Sequence, residues 1–515
     1  MSIQRWIFGM MALFVLTASM PSPATAMDGD LLLEILLEKG IITKDELSQI
    51  KAEEKKREAA KTDTQAGKKS EVAVDLEKKK QETAKTAGQI KQKSGAHVSY
   101  GKEKQVAAPT TGHAKKKSGV KVGYGKKGFT LATTDGLFKT KIQWRTQGRY
   151  TFPERGDPRN KGAFADNEES TFELRRIRLK VGGHGYQPWL KYYLEVDWQP
   201  GRDFDDDSEA ASARMIDWRI MLEKFKWAKL RVGQWKINYS RERVDSSGKQ
   251  TMVERSIMNR VFTIDRQMGM MLYGRVNPGT LLDANYYLGI FSGGGRGVNN
   301  NDDDNMMYMG RIQWNVFGRE LKWRQSDVKY HKKPTASISF GAYTNKGKCT
   351  RWSSGGCGNV SGFTSPASSD VQDGRFQTSG MQFGSALKYR GFAWQHETHW
   401  KKIKDSGNPD EGIAPINGGE TNMLGGYLMA GYFPHDLISA VPKPLEVAFR
   451  YSHVDPNTDR GGDLRQEFTT GFNWFFAGHR NKLTLDASHL TLEQESPSLP
   501  AYTEQRVRLQ WDVSF

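Results

Sequence analysis

The chain has few cysteines and no long apolar run. Its 515 residues include two cysteines, Cys349 and Cys357, and the mean hydropathy is −0.67. Residues 7–20 form one apolar stretch, but it is shorter than the ~20 residues that a membrane-spanning helix needs, and no later segment supplies one. These features exclude a helical membrane protein. Two thiolates without a neighbouring histidine provide half of the usual zinc ligands, so no metal site is expected.

Sequence motifs of catalysis are also missing. The chain has no nucleophile elbow, no zinc signature and no phosphate-cradling loop. His396 and His399 lie three residues apart on a predicted strand, and this spacing places them on opposite faces, which argues against a shared metal. We therefore expect no enzymatic activity, no catalytic residues, no cofactor and no nucleic-acid partner.

Residues 1–26 have the pattern of a cleaved secretory signal peptide. Arg5 precedes the apolar stretch, and the small-residue site Ala24-Thr25-Ala26 follows it. Export would place the mature chain in an oxidising compartment. The two cysteines lie close together in the segment CTRWSSGGC, so we expect a loop disulfide between Cys349 and Cys357.

Residues 27–127 differ in composition from the rest of the chain. Residues 27–60 predict two short helices, either a small coiled-coil oligomerisation element or a helical hairpin that is only marginally stable alone. Residues 61–127 hold 17 lysines and 6 acidic residues with few large apolar side chains, which predicts a disordered basic linker. This linker is either a solvated spacer or a contact with anionic cell-wall polymer or lipid.

From residue 128 to residue 515 apolar and polar residues alternate, which predicts strands. In the last strand, residues 506–515, the odd positions are apolar and the even positions are polar. Sixteen such segments are separated by connections that generally alternate between tight turns and long polar loops, as in outer-membrane barrels with short periplasmic turns. Residues 318–334 and 434–443 are long for such turns. The predicted strands are 138–152, 171–183, 189–200, 213–223, 227–238, 266–276, 281–292, 306–317, 335–345, 378–389, 392–404, 422–433, 444–454, 464–475, 480–493 and 503–515.

We therefore predict an all-β protein, a 16-stranded antiparallel transmembrane β-barrel over residues 128–515. It would lie in the bacterial outer membrane, in contact with its lipid, with the helical element and basic linker in the periplasm. A single alternating segment could equally be the last strand of a soluble sandwich, but the export signal argues against that alternative. The 14 Trp, 18 Tyr and 24 Phe residues fit the aromatic belts of a barrel.

The polar parity of the predicted strands carries many cations. In the first strand it includes Arg145, and in the second it includes Arg176 and Arg178. Glu195, Asp217 and other acidic residues share this parity, so the positive potential should be strongest beside the early strands. Such a wall favours anions, because fixed cations replace the water that a multivalent anion loses on entering a narrow pore.

Several segments resemble the phosphate-selective porin O and P family. They are FELRRIRLKVGGHGYQPWLKYYLEVDW (172–198), LRVGQWKINYSRERVDSSGKQTMVERSIMNRVF (230–262), LEVAFRYSHVDPN (445–457), TTGFNWFF (469–476) and the final RVRLQWDVSF. The resemblance covers essentially all of residues 128–515. Its most specific part is LRVGQxK followed by a loop that carries MVERS.

The resemblance implies a homotrimer of barrels, each passing inorganic phosphate or other small anions through a lumen narrowed by an inward-folded third external loop. That loop corresponds to residues 239–265. Arg255 within MVERS is the predicted constriction cation, unless it pairs with Glu254 or Glu242 to hold the loop. Further candidates for anion binding are Arg241, Arg243 and Arg260 on the loop, and Arg145 and Lys236 on the wall.

Two other functions remain open from the sequence. Acidic residues at 203–209 and 302–304 would oppose anion recruitment, which leaves a general or cation-preferring porin on the same fold. The second alternative is an envelope-tethering protein that acts through the basic segment before the barrel, with the pore incidental.

Overall fold

The computed structural model describes residues 119–125, 128–153, 170–198, 213–298, 301, 303–354, 356–360, 374–406, 419–494 and 499–515. The predicted signal peptide, the helical element and most of the basic linker lie outside the described residues. No helix in the described ranges is long and apolar enough to cross a membrane.

The described ranges consist mainly of β-strands. Two short α-helices occur, α1 (Arg241–Val244) and α2 (Met258–Phe262), with 3₁₀ turns at Ser247–Lys249 and Pro434–Asp436. The strands in chain order are β1 (Val120–Gly125), β2 (Gly128–Thr133), β3 (Lys139–Phe152), β4 (Thr171–His184), β5 (Leu190–Asp197), β6 (Arg214–Leu222), β7 (Lys229–Lys236), β8 (Arg266–Val276), β9 (Ala284–Phe291), β10 (Met307–Trp314), β11 (Thr335–Gly347), β12 (Arg351–Ser353), β13 (Gly356–Gly358), β14 (Phe376–Tyr389), β15 (Phe392–Asp405), β16 (Glu420–Tyr432), β17 (Leu445–Asp455), β18 (Arg465–Phe475), β19 (Asn481–Leu492) and β20 (Tyr502–Ser514).

Sixteen of these described strands, β3–β11 and β14–β20, form a closed antiparallel barrel. Each pairs with the next, and β20 closes the barrel on β3, with Val507 opposite Phe152 and Ser514 opposite Arg145. Closure leaves no open sheet edge in the wall. The predicted sixteen-stranded barrel is confirmed, and each predicted strand coincides with one of these strands to within a few residues.

The sheet begins earlier than predicted. β1 lies within the segment that the sequence assigned to the linker, and it pairs with β2, with Val122 opposite Leu131 and Tyr124 opposite Phe129. The alternation of valine, lysine, valine, glycine and tyrosine suits a strand in spite of the lysine-rich surroundings. β2 in turn pairs with the first residues of β3, with Phe129 opposite Ile142.

The barrel wall separates an apolar outer face from a polar inner face. On β20, Trp511 is 54% exposed and Val507 is 40% exposed on the outside, whereas Arg508 and Asp512 are buried inside. Outward apolar side chains would contact lipid, and inward polar side chains meet the lumen or other protein. His399 is likewise buried inside, while His396 packs against the outward-facing Phe383, so the two histidines lie on opposite faces.

The two ends of the barrel differ in their connections. One end, here called the turn end, has short connections such as Arg390-Gly391, where positive φ angles of 47° and 82° suit a two-residue hairpin turn. The other end, here called the loop end, has the longer connections, including residues 237–265 and 348–375. In outer-membrane barrels short turns lie on the periplasmic side.

Part of the barrel interior is filled by these connections. One apolar cluster joins Trp235, Tyr239 and Tyr343 to Trp352 from the 348–375 connection. A second cluster joins Met258 and Phe262 of α2 to wall residues that include Tyr427 and Met429. Trp352 belongs to the small sheet β12–β13, next to the disulfide that links Cys349 and Cys357, whose Cα atoms are 5.8 Å apart.

Candidate functional site

The connection between β7 and β8, residues 237–265, lies inside the barrel and contacts the far wall. We call it the inward loop. The backbone N–H of Val253 donates to Asp486 on β19 over 2.8 Å, and that of Ile257 donates to Glu467 on β18 over 2.9 Å. Since these partners are far from β7 around the barrel, the inward loop crosses the interior.

A buried carboxylate on the wall holds the start of the inward loop. Glu397 on β15 accepts hydrogen bonds from Ser240 Oγ at 2.8 Å, Arg241 N at 2.6 Å and Glu242 N at 3.3 Å. Ser240 is also the N-cap of α1, because its side chain accepts from the N–H of Arg243. The carboxylate therefore satisfies backbone donors that the first turn of a helix leaves without intrahelical partners.

A second buried carboxylate joins the two helices of the inward loop. Glu242 accepts from the backbone N–H of Ser256 at 2.9 Å and from Asn259 Nδ2 at 3.0 Å. Arg255 also links its own segment to α1, since its guanidinium donates to the backbone oxygens of Glu242 at 3.1 Å and Asp245 at 2.7 Å. These contacts hold the loop in a fixed shape inside the barrel.

The inward loop also packs where the wall lacks side chains. Phe262 lies over Gly425 on β16, and Met252 lies over Gly471 on β18, so closely that a Cβ atom at either glycine would clash with it. Glycine is needed at both positions because the loop approaches the wall backbone directly.

A cavity of about 840 Å³ lies between the inward loop and the wall formed by the early strands. Thirteen lysine and arginine residues line it, against two acidic residues, Glu195 and Asp217. Loop residues such as Lys249 close one side. The lining cations are Lys139, Lys141, Arg145, Arg178, Lys180, Lys191, Arg219, Arg231, Lys236, Lys249, Arg266, Arg324 and Arg480.

Many of these cations are partly neutralised by neighbouring carboxylates. Arg178 contacts Glu195 at 3.1 Å and Asp197 at 2.8 Å, and Arg145 contacts Asp512 at 3.0 Å. Such paired groups still contribute to the local potential, but part of their hydrogen-bonding capacity is already used.

Two lining lysines differ from the paired cations. Among the described residues, neither Lys236 Nζ nor Lys249 Nζ forms a hydrogen bond or an ion pair. Burial, together with the nearby charges of Arg324 and Lys180, lowers the pKa of Lys249 to about 7. An ammonium group in this position would be stabilised by an anion placed next to it.

The predicted site residues fall into two groups. Arg145, Arg178 and Lys236 line the cavity, whereas Arg176, Arg241, Arg243, Arg255 and Arg260 are not among its lining residues. Arg176 donates to Gln147 over 3.0 Å. Arg241 donates to Gln313 over 2.9 Å, and Arg243 forms an ion pair with Asp265. Arg260 lies on α2, and its exposure is intermediate.

Sequence reasoning missed Lys249 and Arg324. Alternation places Lys180 on the inward parity of Arg176 and Arg178, although Lys180 was not among the candidate anion-binding residues. Lys249 belongs to the inward loop but lies before the MVERS segment, and Arg324 lies on a connection at the turn end. The sequence carries no signal that would bring these last two residues to one cavity.

A closed sixteen-stranded barrel with an apolar outer face and a polar internal cavity has the architecture of an outer-membrane porin. Residues 155–515 match the family Phosphate-selective porin O and P, and the chain therefore belongs to that family. Family and fold are those of a channel in the outer membrane rather than of an enzyme.

Solved structures of other barrels are similar to this chain. An anion-selective porin from Comamonas acidovorans is 11% identical and covers 73% of this chain and 99% of its own, with a TM-score of 0.46. The outer membrane channel DcaP of Acinetobacter baumannii is 12% identical and covers 73% and 97%, with a TM-score of 0.47. The trimer form of OmpT from Vibrio cholerae is 9% identical and covers 73% and 99%, with a TM-score of 0.43. No curated protein sequence matches the chain.

Proposed function

We propose that this porin passes small anions, with phosphate or polyphosphate among them, through the cavity beside the inward loop. The observation that carries the proposal is the composition of the cavity lining, which contains thirteen lysines and arginines and two acidic residues. A permeating anion would be attracted along the whole lining, and a cation would be repelled.

The chemistry of the lining suits an ion that must be bound and released. Lys236 and Lys249 lack partners among the described residues, so both can replace water around an anion. The paired arginines, such as Arg145 and Arg178, add positive potential without forming a deep well. Several weak sites in series allow conduction, whereas one strong site would trap the ion.

The inward loop would set the width of the pathway. Support comes from its anchoring to β15, β18 and β19, which fixes it across the interior. Within this proposal Arg255 acts mainly on the loop, because its guanidinium donates to the backbone oxygens of Glu242 and Asp245. Lys249 and Lys236 are then the cations at the narrow region, a role that the sequence assigned to Arg255.

The assembly proposed here is a homotrimer, as the family resemblance implied, with the N-terminal segment in the periplasm. The apolar outer face of the barrel, with residues such as Trp511 and Phe515 exposed, can serve both lipid and a neighbouring barrel.

Ion flux from liposomes tests the proposal. Full-length mature protein would be reconstituted into vesicles loaded with labelled phosphate or with rubidium. We expect phosphate to leave faster than rubidium, and Lys236→Gln with Lys249→Gln to slow phosphate release about threefold or more. Lys333→Gln removes an exposed charge at the turn end and should match the parent protein. Faster rubidium release would contradict the proposal and favour a cation-preferring porin.

A further inference from the structure

The connection between β10 and β11 enters the barrel from the turn end. We call residues 315–334 the turn-end insert. Leu321, Gln325, Ser326 and Asp327 are all buried, at 1–3% exposure, although they belong to a connection that the sequence would leave in solvent. Buried polar residues at these positions need partners inside the barrel, because burial without a hydrogen bond is costly.

The inward loop supplies part of these partners. The backbone N–H of Thr251 donates to Gln325 Oε1 over 2.7 Å, and the backbone N–H of Gln325 donates to Asp245 Oδ2 over 3.2 Å. Arg241 donates to the backbone oxygen of Lys322 over 2.8 Å. The inward loop and the turn-end insert therefore meet inside the barrel.

The wall supplies the remaining partners. Ser326 Oγ donates to Glu446 on β17 over 2.8 Å, and Lys388 Nζ on β14 donates to the backbone oxygen of Ser326 over 2.8 Å. Trp323 stacks beneath the guanidinium of Arg311, whose Cζ lies 4.6 Å from the ring centroid. The insert is thus fixed on both sides and can hold a side chain at a defined place.

The insert presents Trp323 and Arg324 to the cavity, and Arg324 carries the charge. One of its terminal nitrogens forms an ion pair with Asp245, whose side chain is completely buried. The guanidinium is nevertheless 40% exposed and lines the cavity. Because a guanidinium has five N–H donors, the contact with Asp245 leaves donors that can face the cavity.

Cations from three other elements line the same cavity as Arg324. Lys249 of the inward loop lies close enough to Arg324, to Lys180 on β4 and to Arg145 on β3 for all three to act on its charge. Lys249, Lys180, Arg145 and Arg324 all line the same cavity. Carboxylates offset part of this charge, since Asp245 pairs with Arg324 and also acts on Lys249, Asp512 pairs with Arg145, and Glu195 lies 3.9 Å from Lys180. Lys249 Nζ itself forms no ion pair or hydrogen bond among the described residues, so an anion placed beside Lys249 and Arg324 would stabilise the remaining positive charge.

We propose that Arg324 is a specificity-determining residue of the channel, and that with Lys249 it forms a binding site for a tetrahedral oxyanion on the turn-end side of the inward loop. Asp245 positions the guanidinium, whose free N–H groups bind two oxygens of the anion, while Lys249 binds a third. This inference rests on the proposed anion-channel function, and it adds a residue that neither the wall nor the inward loop provides.

Phosphate block of chloride current in planar bilayers tests the inference. The full-length mature protein would be compared with Arg324→Gln, Arg324→Lys and the control Lys333→Gln, which removes a charge from the same insert outside the cavity. We expect Arg324→Gln to raise the half-blocking phosphate concentration about three- to tenfold, since one charge-assisted contact is lost. Arg324→Lys should retain much of the block, and Lys333→Gln should match the parent.

Arg324→Cys gives a second measurement on one folded protein. Modification by a cationic thiol reagent restores the positive charge, and modification by an anionic reagent reverses it. The half-blocking phosphate concentration should fall with the first reagent and rise with the second. This comparison does not depend on whether Arg324→Gln assembles well.

The outcomes separate the two claims. If the parent channel is anion-selective and neither Arg324→Gln nor the charge of the modified cysteine changes the block, the inference is wrong and the proposed function stands. If the parent channel shows no preference for anions, the proposed function is wrong and the inference falls with it.

Discussion

Replacement of Glu397 by glutamine should loosen the inward loop while leaving the barrel intact. Glu397 is fully buried and accepts hydrogen bonds from Ser240 Oγ, Arg241 N and Glu242 N. Glutamine has nearly the same shape but no charge, and one of its two terminal groups is a donor. That NH₂ group would face an N–H or O–H donor of the loop, so at least one of these contacts is lost and the others are weakened.

The size of the effect follows from these contacts. Hydrogen bonds to charged groups contribute roughly 1.5–3 kcal/mol each. Losing the charge and one acceptor should therefore cost the docked loop about 2–4 kcal/mol, which corresponds to a change of about 30- to 1,000-fold in the ratio of docked to released loop. The strand pairing of β15 with β14 and β16 uses backbone groups and is unaffected.

Cysteine labelling measures this ratio. Met252 of the inward loop is buried against Gly471, so a cysteine placed there reacts with a bulky maleimide only when the loop leaves the wall. Met252→Cys should label much faster when it is combined with Glu397→Gln. Glu420→Gln is the matched control, because Glu420 pairs with Lys402 and Lys404 and, among the described residues, forms no hydrogen bond or ion pair with the inward loop.

Single-channel recording gives the functional counterpart. A released loop should widen the pathway, so the Glu397→Gln channel should conduct more and discriminate less between anions and cations. If the labelling rate and the conductance of Glu397→Gln both equal those of Glu420→Gln, then Glu397 does not hold the inward loop against the wall.

Two further predictions concern the cavity and the wall glycines on which the inward loop packs. Since the pKa of Lys249 is about 7, this group is cationic below that pH and neutral above it, so the ratio of anion to cation permeability should rise as the pH falls from about 8 to about 6. Lys249→Gln should reduce this pH dependence. A variant with the same pH profile as the parent protein would contradict the prediction. Gly425→Ala should displace the rigid ring of Phe262 and raise the conductance. Gly471→Ala places its methyl group against the flexible end of Met252 and should raise the conductance less. Equal conductances of the two variants would contradict this difference.

The barrel itself could be predicted from the sequence because alternation is a local property. The inward parity of Arg145, Arg178 and Arg508 follows from counting along one strand, and all three are buried inside. The start of the sheet at Val120 was missed because lysine-rich composition outweighed a short alternating run.

The pairing of the inward cations could not be predicted, because it depends on register between strands. Arg145 meets Asp512 only because β20 closes on β3, and this contact joins residues 367 positions apart. The same holds for connections that enter the barrel. The length of the 318–334 connection was unusual for a turn, but no pattern shows that Arg324 reaches Asp245 of the inward loop.

We propose that the basic cavity makes this porin selective for anions. The most direct test is the reversal potential of purified full-length mature protein in a planar bilayer under a KCl gradient. We expect a reversal potential of the sign that chloride selectivity requires, and we expect it to shift toward zero when Lys236 and Lys249 are both replaced by glutamine. A reversal potential at zero, or of the opposite sign, would contradict it.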